Sequence, residues 1–287
     1  MVATLLHTGV RTSTVSAEWR AWDVPFRLVV TDPLALASAC KLVEEQFGNL
    51  AAAVGHRLAG PARDAALTRL LRGGQPTAGA PSYPYGIAGV PRGAQPHRPA
   101  PTTWQRVSAS AIRAREGWRV DGRPSAWAMI SQRCAQLVAD VTSCGVLISF
   151  GDDVATSGLA PLGGWRVELF DTAGAQRSGV VVAIDGGAIS SMSSACAQRG
   201  AGRRRRVPPT TGPTSAPVWR SVTVAAADAP TASAACSRAM LWGEDAPALL
   251  AGLGRPALLI DTAGAAHTAG SWPDACGPMG TLSRSFV

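Results

Sequence analysis

Lysine is almost absent from this chain. Lys41 is the only one, and the rest of the 27 basic residues are arginines. Charged residues make up only 16% of the 287 positions, and the net charge of +8 is carried by arginines scattered along the chain. Apart from the run Arg203 to Arg206, which reads as a solvated hairpin tip, this distribution offers no basic face, so no nucleic-acid partner is expected. The six cysteines (Cys40, Cys134, Cys144, Cys196, Cys236 and Cys276) form no CxxC pair and no Cys/His cluster at zinc spacing, which excludes the common structural metal sites. They read instead as small buried side chains in a reducing compartment. No stretch approaches the roughly 18 apolar residues of a membrane span, and Met1 to Glu18 has neither a long apolar run nor a lipid-attachment cysteine. The expectation is a cytoplasmic protein with no membrane partner. No Gly-x-Ser-x-Gly elbow occurs, and His7, His56, His97 and His267 show no pattern that would activate a serine nucleophile. Nothing in the sequence speaks to oligomeric state.

What is present is apolar mass, 46% of the residues, enough for one large core or two closely packed lobes. Phe26 to Val30 reads as a strand, and Thr31-Asp32-Pro33 as a helix start leading into apolar spacing from Leu34 to Leu50. Ala62 to Leu71, Ala126 to Val141, Thr231 to Leu241 and Ala246 to Leu253 carry helical signals. Val146 to Phe150, Trp165 to Phe170, Val180 to Ile184, Ser221 to Ala225 and Ala257 to Ile260 read as strands. Gly73 to Thr103 is dominated by Gly, Pro and small polar residues and is expected to be a long loop. The order is mixed α+β with antiparallel hairpins, in one domain from 19 to 287 after an N-terminal tail of 1 to 18.

A series of landmarks from Gly145 onward carries more: GVLISFGDDVATSG, GGWRVELFDTAG, DGGAISSMSSACAQRG, VPPTTGPTSAP, ASAACSRAMLWG and ALLIDTAGAAHTAGSWP. In order and spacing they resemble the ApbE family, the FAD:protein FMN transferases. The resemblance implies the T-fold-related ApbE fold, mixed sheets with helices in two intimately packed lobes. It also implies FAD and magnesium as cofactors and flavinyl transfer to a Ser or Thr of a protein.

Several polar positions depart from that pattern. The family's Gly-Gly-Asp reads Gly151-Asp152-Asp153 here, so a carboxylate stands where the backbone must approach a pyrophosphate. Two unit charges about 4 Å apart repel by roughly 4 kcal/mol at an effective dielectric of 20, which opposes FAD binding. The metal-binding Ala-Asp-Ala-x-x-Thr-Ala helix reads Ala232-Ser233-Ala234-Ala235-Cys236-Ser237-Arg238, and the aspartate of the His-x-Ile-x-Asp-Pro-x-Thr-Gly turn is Pro208. A serine hydroxyl is a poor ligand for magnesium, which prefers carboxylate and phosphate oxygens. The lysine of the family's Gly-Ala-x-x-Lys-Ala turn has become Ser125, with Arg123 beside it, and the Ser-Glu-Leu segment is at best Asp64-Ala65-Ala66-Leu67.

The expectation is therefore a repurposed, metal- and flavin-independent enzyme acting on a flat aromatic small molecule in specialised metabolism. Asp152 or Asp153 would supply acid-base catalysis, since a partly buried strand terminus with a like-charge neighbour raises one carboxyl pKa. A Pictet-Spengler ring closure is one reaction of this kind. Magnesium-dependent FMN transfer and a catalytically silent binding protein are the alternatives. Candidate substrate-binding residues are Trp22, Asp23, Trp118, Arg123, Trp127, Ser190, Ser191, Arg205, Ser233 and Ser237; no metal ligand is expected. The tryptophans are chosen because indoles stack on planar ligands and attract cations.

Overall fold

Apolar side chains alternate along the central strands, and both strand faces are covered. The computed structural model describes residues 2–5, 14–22, 24–55, 60–72, 125–170, 180–194, 217–272 and 280–282. Its larger sheet has eight strands. They are β2 (Val15–Ala21), β3 (Val24–Val30), β4 (Val146–Phe150), β5 (Asp153–Ser157), β8 (Ala188–Ser193), β9 (Trp219–Ala226), β10 (Ala257–Asp261) and β11 (Ala266–Ala269), neighbouring one another in that order and antiparallel throughout. The smaller sheet orders β1 (Val2–Leu5), β6 (Trp165–Phe170), β7 (Val180–Ile184) and β12 (Gly280–Leu282).

Period-2 alternation sends Phe26, Leu28, Val30, Val146, Ile148, Phe150 and Ala155 to a helix-covered face, and Val29, Leu147 and Val154 to the other. The helix layer over β2 to β5 consists of α1 (Leu36–Val54), α2 (Gly60–Leu71) and α3 (Ala126–Thr142). Over β8 to β11 it continues with α4 (Ala229–Trp242) and α5 (Ala246–Gly252). The opposite face packs on Trp165, Val167, Leu169, Val182 and Ile184 of the smaller sheet, together with Trp272. The expected α+β architecture is present as three layers: helices, an eight-stranded sheet and a four-stranded sheet.

Most expected elements stand within a few residues of their reading. The helix expected from Leu34 begins as a 3-10 turn at Pro33–Ala35, where the Asp32 side chain accepts the Leu34 N–H at 2.9 Å, and becomes α-helical at Leu36. The stretch 1 to 18, expected as a tail, contributes β1, paired antiparallel with β6, and the start of β2. The expected loop from Gly73 to Thr103 lies outside the described residues. β5, β8 and β11 carry no strand reading in the sequence. β8 is Ala-Ile-Ser-Ser-Met-Ser with every residue buried, so polarity does not alternate along it.

Gly145, between α3 and β4, shows how tightly the loops are tied. Its N–H donates to Thr31 Oγ1 at 2.8 Å and its carbonyl accepts the Thr31 N–H at 2.9 Å. A Cβ at this position would lie 1.8 Å from the Leu159 carbonyl oxygen. Gly145→Ala is expected to lower stability by about 1–3 kcal/mol, the usual cost of overpacking. Urea denaturation checks this, and a variant as stable as the parent would show that the Leu159 loop yields freely.

Candidate functional site

Two strand turns and two helix starts meet on the helix-facing side of the larger sheet. Ala21 pairs with Val24 to close the β2–β3 turn, and Phe150 pairs with Asp153 to close the β4–β5 turn. The Gly151 N–H of the second turn donates to the Pro25 carbonyl at 3.0 Å. Gly151 has φ +63°, a conformation that suits glycine and that sets Asp152 and Asp153 at the strand end.

Asp153 is 1% exposed. Its Oδ1 accepts the Ser190 hydroxyl at 2.6 Å and its Oδ2 accepts the Ser125 hydroxyl at 2.8 Å. Ser125 is the N-cap of α3: its Oγ also accepts the Ala128 N–H at 3.0 Å, and its own N–H donates to Ser233 Oγ on α4 at 3.0 Å. Gln132 of α3 returns the bond, accepting the Ala229 N–H at the start of α4 at 2.9 Å. Each helix thus satisfies an N-terminal donor of the other, and Asp153 anchors the junction to the sheet. Ser237 donates to the Ser233 carbonyl at 3.0 Å, one turn back along α4.

Ser190 and Ser191 are separated by the pleat. Ser190 shares the helix-facing side with Asp153, whereas Ser191 faces the smaller sheet, with its hydroxyl 2.9 Å from Thr223 Oγ1. The two serines grouped together in the sequence therefore sit on opposite faces, and only Ser190 is at the site. Asp152 is half-buried in the turn, and its carbonyl accepts the Ser191 N–H at 3.0 Å. Asp23, Trp118, Arg123 and Arg205 lie outside the described residues.

Next to this polar junction is an aromatic wall. The Trp22 and Trp127 rings are 5.8 Å apart with a 38° tilt. Phe47 meets Trp22 edge-on at 4.9 Å, and Phe150 meets Trp127 edge-on at 4.8 Å. Trp22 has φ +49°, a left-handed backbone that costs a bulky L-residue on the order of 1–2 kcal/mol and that holds its indole in this group. The sequence reading brings Trp22 and Trp127 to the site but misses Arg63. The Arg63 guanidinium carbon lies 5.4 Å from the Trp22 ring and 5.6 Å from the Trp127 ring. Its other contact is the Asp64 carboxylate, at 3.3 Å from Nη2 and 3.4 Å from Nε. Burial pushes the Asp64 carboxyl above its ordinary value, against the lowering effect of Arg63. The only sequence signal for this pair was the position of Asp64 at the weakly matched Ser-Glu-Leu segment.

A flat molecule held between two rings needs two stacking distances of about 3.5 Å each. Trp22 and Trp127 already touch one another and leave no such gap. They form a continuous wall packed against the apolar core around Phe26 and Phe150, with the Arg63 guanidinium over both rings.

Magnesium does not fit the donors described. Ser233 Oγ is an acceptor for the Ser125 N–H, and both oxygens of Asp153 accept serine hydroxyls. Among the described residues no three His, Cys, Asp or Glu side chains come together in a way that could hold a metal ion. Also among the described residues, no helix is long and apolar enough to cross a membrane, and Cys40, Cys134, Cys144 and Cys236 are free thiols.

The profile of the ApbE family matches residues 77–259. No curated protein matches by sequence. Solved structures similar in fold include the following three. The ApbE protein of Thermotoga maritima superposes with a TM-score of 0.56 at 15% identity, over 90% of this chain and 97% of that one. The flavin transferase ApbE of Vibrio cholerae gives 0.50 at 15% identity, over 91% and 98%. The apo flavinyl transferase ApbE of Pseudomonas stutzeri gives 0.50 at 14%, over 92% and 97%.

Proposed function

Since the chain belongs to the ApbE family, on a profile match over well more than half its length, we propose that it uses that scaffold to bind a flat aromatic small molecule and transform it by acid-base chemistry without flavin or magnesium. The observation that carries this reading is the aromatic wall of Trp22 and Trp127 under Arg63, directly beside a corner whose hydroxyls are committed to holding helices together. An indole wall offers a ligand stacking area and a preference for planar, polarisable rings. Both oxygens of the corner's Asp153 accept serine hydroxyls, and among the described residues no group of carboxylates could hold a metal, so phosphate recognition of the flavin-transferase kind has little support there.

In this reading Asp152, half-buried in the β4–β5 turn, moves the proton. Asp153, locked by Ser125 and Ser190, holds the geometry around it. Ring closure of an aromatic amine with an aldehyde is the first reaction to assay. It forms an iminium with loss of water, then a carbon-carbon bond, then releases a ring proton to a base, and it needs no cofactor. The free thiols are in keeping with a cytoplasmic location.

Ligand binding by the purified protein tests the proposal. Indole or quinoline is expected to raise the thermal midpoint, and FAD with magnesium to leave it unchanged. Trp127→Ala should weaken the aromatic ligand by about 1–3 kcal/mol through lost stacking area. Trp272→Ala, in the inter-sheet core, should lower stability and leave affinity alone. A yellow preparation, or magnesium-dependent quenching of FAD fluorescence, would overturn the proposal in favour of FMN transfer. Ligand stabilisation with no turnover of any amine and aldehyde pair would leave a binding protein.

A further inference from the structure

Arg63 has an unusual set of neighbours for a guanidinium. Its side chain is 14% exposed, two indole rings take up its carbon face, and its polar contact is one oxygen of Asp64. Those contacts of 3.3 and 3.4 Å are longer than the 2.7–2.9 Å of a well-formed charged pair. Arg63 and Asp64 are adjacent on α2, and adjacent helical residues do not face one another, which is why the pair is loose. A guanidinium has five N–H donors in a fixed fork, and among the described residues only Asp64 accepts from this one, whose side chain is largely out of bulk water. The Asp64 side chain is 43% exposed, and both Arg63 contacts fall on the same carboxylate oxygen, Oδ1. An aromatic wall, a shielded cation with spare donors and an accessible carboxyl therefore sit within one side chain of each other.

We propose that the ligand of the aromatic wall is a zwitterionic aromatic amino acid or a close relative, with its ring on Trp22 and Trp127, its carboxylate on Arg63 and its ammonium on Asp64. This rests on the reading that the wall binds a flat aromatic molecule, and it adds the charge pattern that molecule carries. Carboxylate binding is bidentate through the guanidinium fork, and it replaces the long Asp64 contact with shorter ones. Asp64, released from Arg63, takes the ammonium. Its raised carboxyl also suits it to accept a proton from that ammonium, freeing the amine to attack a carbonyl carbon.

Four indoles separate the parts: indole, tryptamine, indole-3-propionate and L-tryptophan, with affinity read from quenching of protein fluorescence or by calorimetry. L-Tryptophan is expected to bind at least tenfold tighter than indole. Arg63→Gln should erase the advantage of indole-3-propionate over indole, whatever it does to indole itself. Asp64→Asn should erase the advantage of tryptamine over indole. Arg63→Lys, which keeps the charge and loses the fork, should retain only part of the carboxylate gain, and far-UV circular dichroism verifies that each variant is folded. If indole binds and the charged probes bind no better, or if Arg63→Gln weakens all four equally, the charge assignment is wrong while the aromatic site stands. If none of the four binds the parent protein, the aromatic site itself is wrong and the charge assignment falls with it.

Discussion

Asp153→Ala is expected to cost about 3–5 kcal/mol of folding stability, the sum of two hydrogen bonds to a charged acceptor with no water to replace them. The side chain is 1% exposed, and the Ser125 and Ser190 hydroxyls would both lose their acceptor. Ser125 also caps α3 and binds Ser233 of α4, so the loss spreads to the junction of two helices and the sheet. Asp153→Asn keeps one acceptor oxygen and presents an N–H₂ where a hydroxyl now donates. It should lose less, about 1–2 kcal/mol, after that hydroxyl turns round. Urea denaturation reads both values. An Asp153→Ala protein within 1 kcal/mol of the parent would show that the network carries little of the fold's stability and would return Asp153 to the list of catalytic candidates.

The neighbouring substitution should behave in the opposite way. Asp152→Asn is expected to leave the denaturation midpoint close to that of the parent and to lower kcat by roughly 10²–10⁴, the range for loss of a positioned acid or base. Asn is nearly isosteric with Asp, so the turn at Gly151 is kept and only the proton is lost. The measurement is steady-state turnover of whichever amine and aldehyde pair the parent converts. Full turnover in Asp152→Asn, with loss of turnover in Asp153→Asn at unchanged stability, would exchange the roles of the two residues.

That contrast between adjacent carboxylates marks where sequence reading reaches its limit. Residue order alone puts Asp152 and Asp153 side by side at a strand end, and their types permit proton transfer. It cannot say that one is surrounded by hydroxyl donors from β8 and the α3 cap, because Ser125, Ser190 and Asp153 are far apart in the chain. The same limit applies to Ser190 and Ser191, whose separation to opposite faces follows only once β8 is known to be a strand. With all six residues buried, and its two large apolar residues, Ile189 and Met192, on opposite faces, β8 offers no alternation to read. Arg63 escapes a sequence reading for a related reason: an Arg-Asp step on a helix is ordinary, and it becomes a candidate site only when the β2–β3 turn and the start of α3 bring two indoles against it.

The sequence by itself determined the fold class, the family, the helix positions and about half of the strands. Apolar periodicity, caps such as Asp32 and glycines such as Gly145 and Gly151 act over a few residues and are written in local order. It also puts a serine, Ser233, where the pattern of the resembled family has an aspartate. Only the tertiary structure decided what those residues do instead. Whether a hydroxyl braces a helix or faces a ligand, and whether an indole joins a core or forms a wall, depends on contacts between segments more than a hundred residues apart.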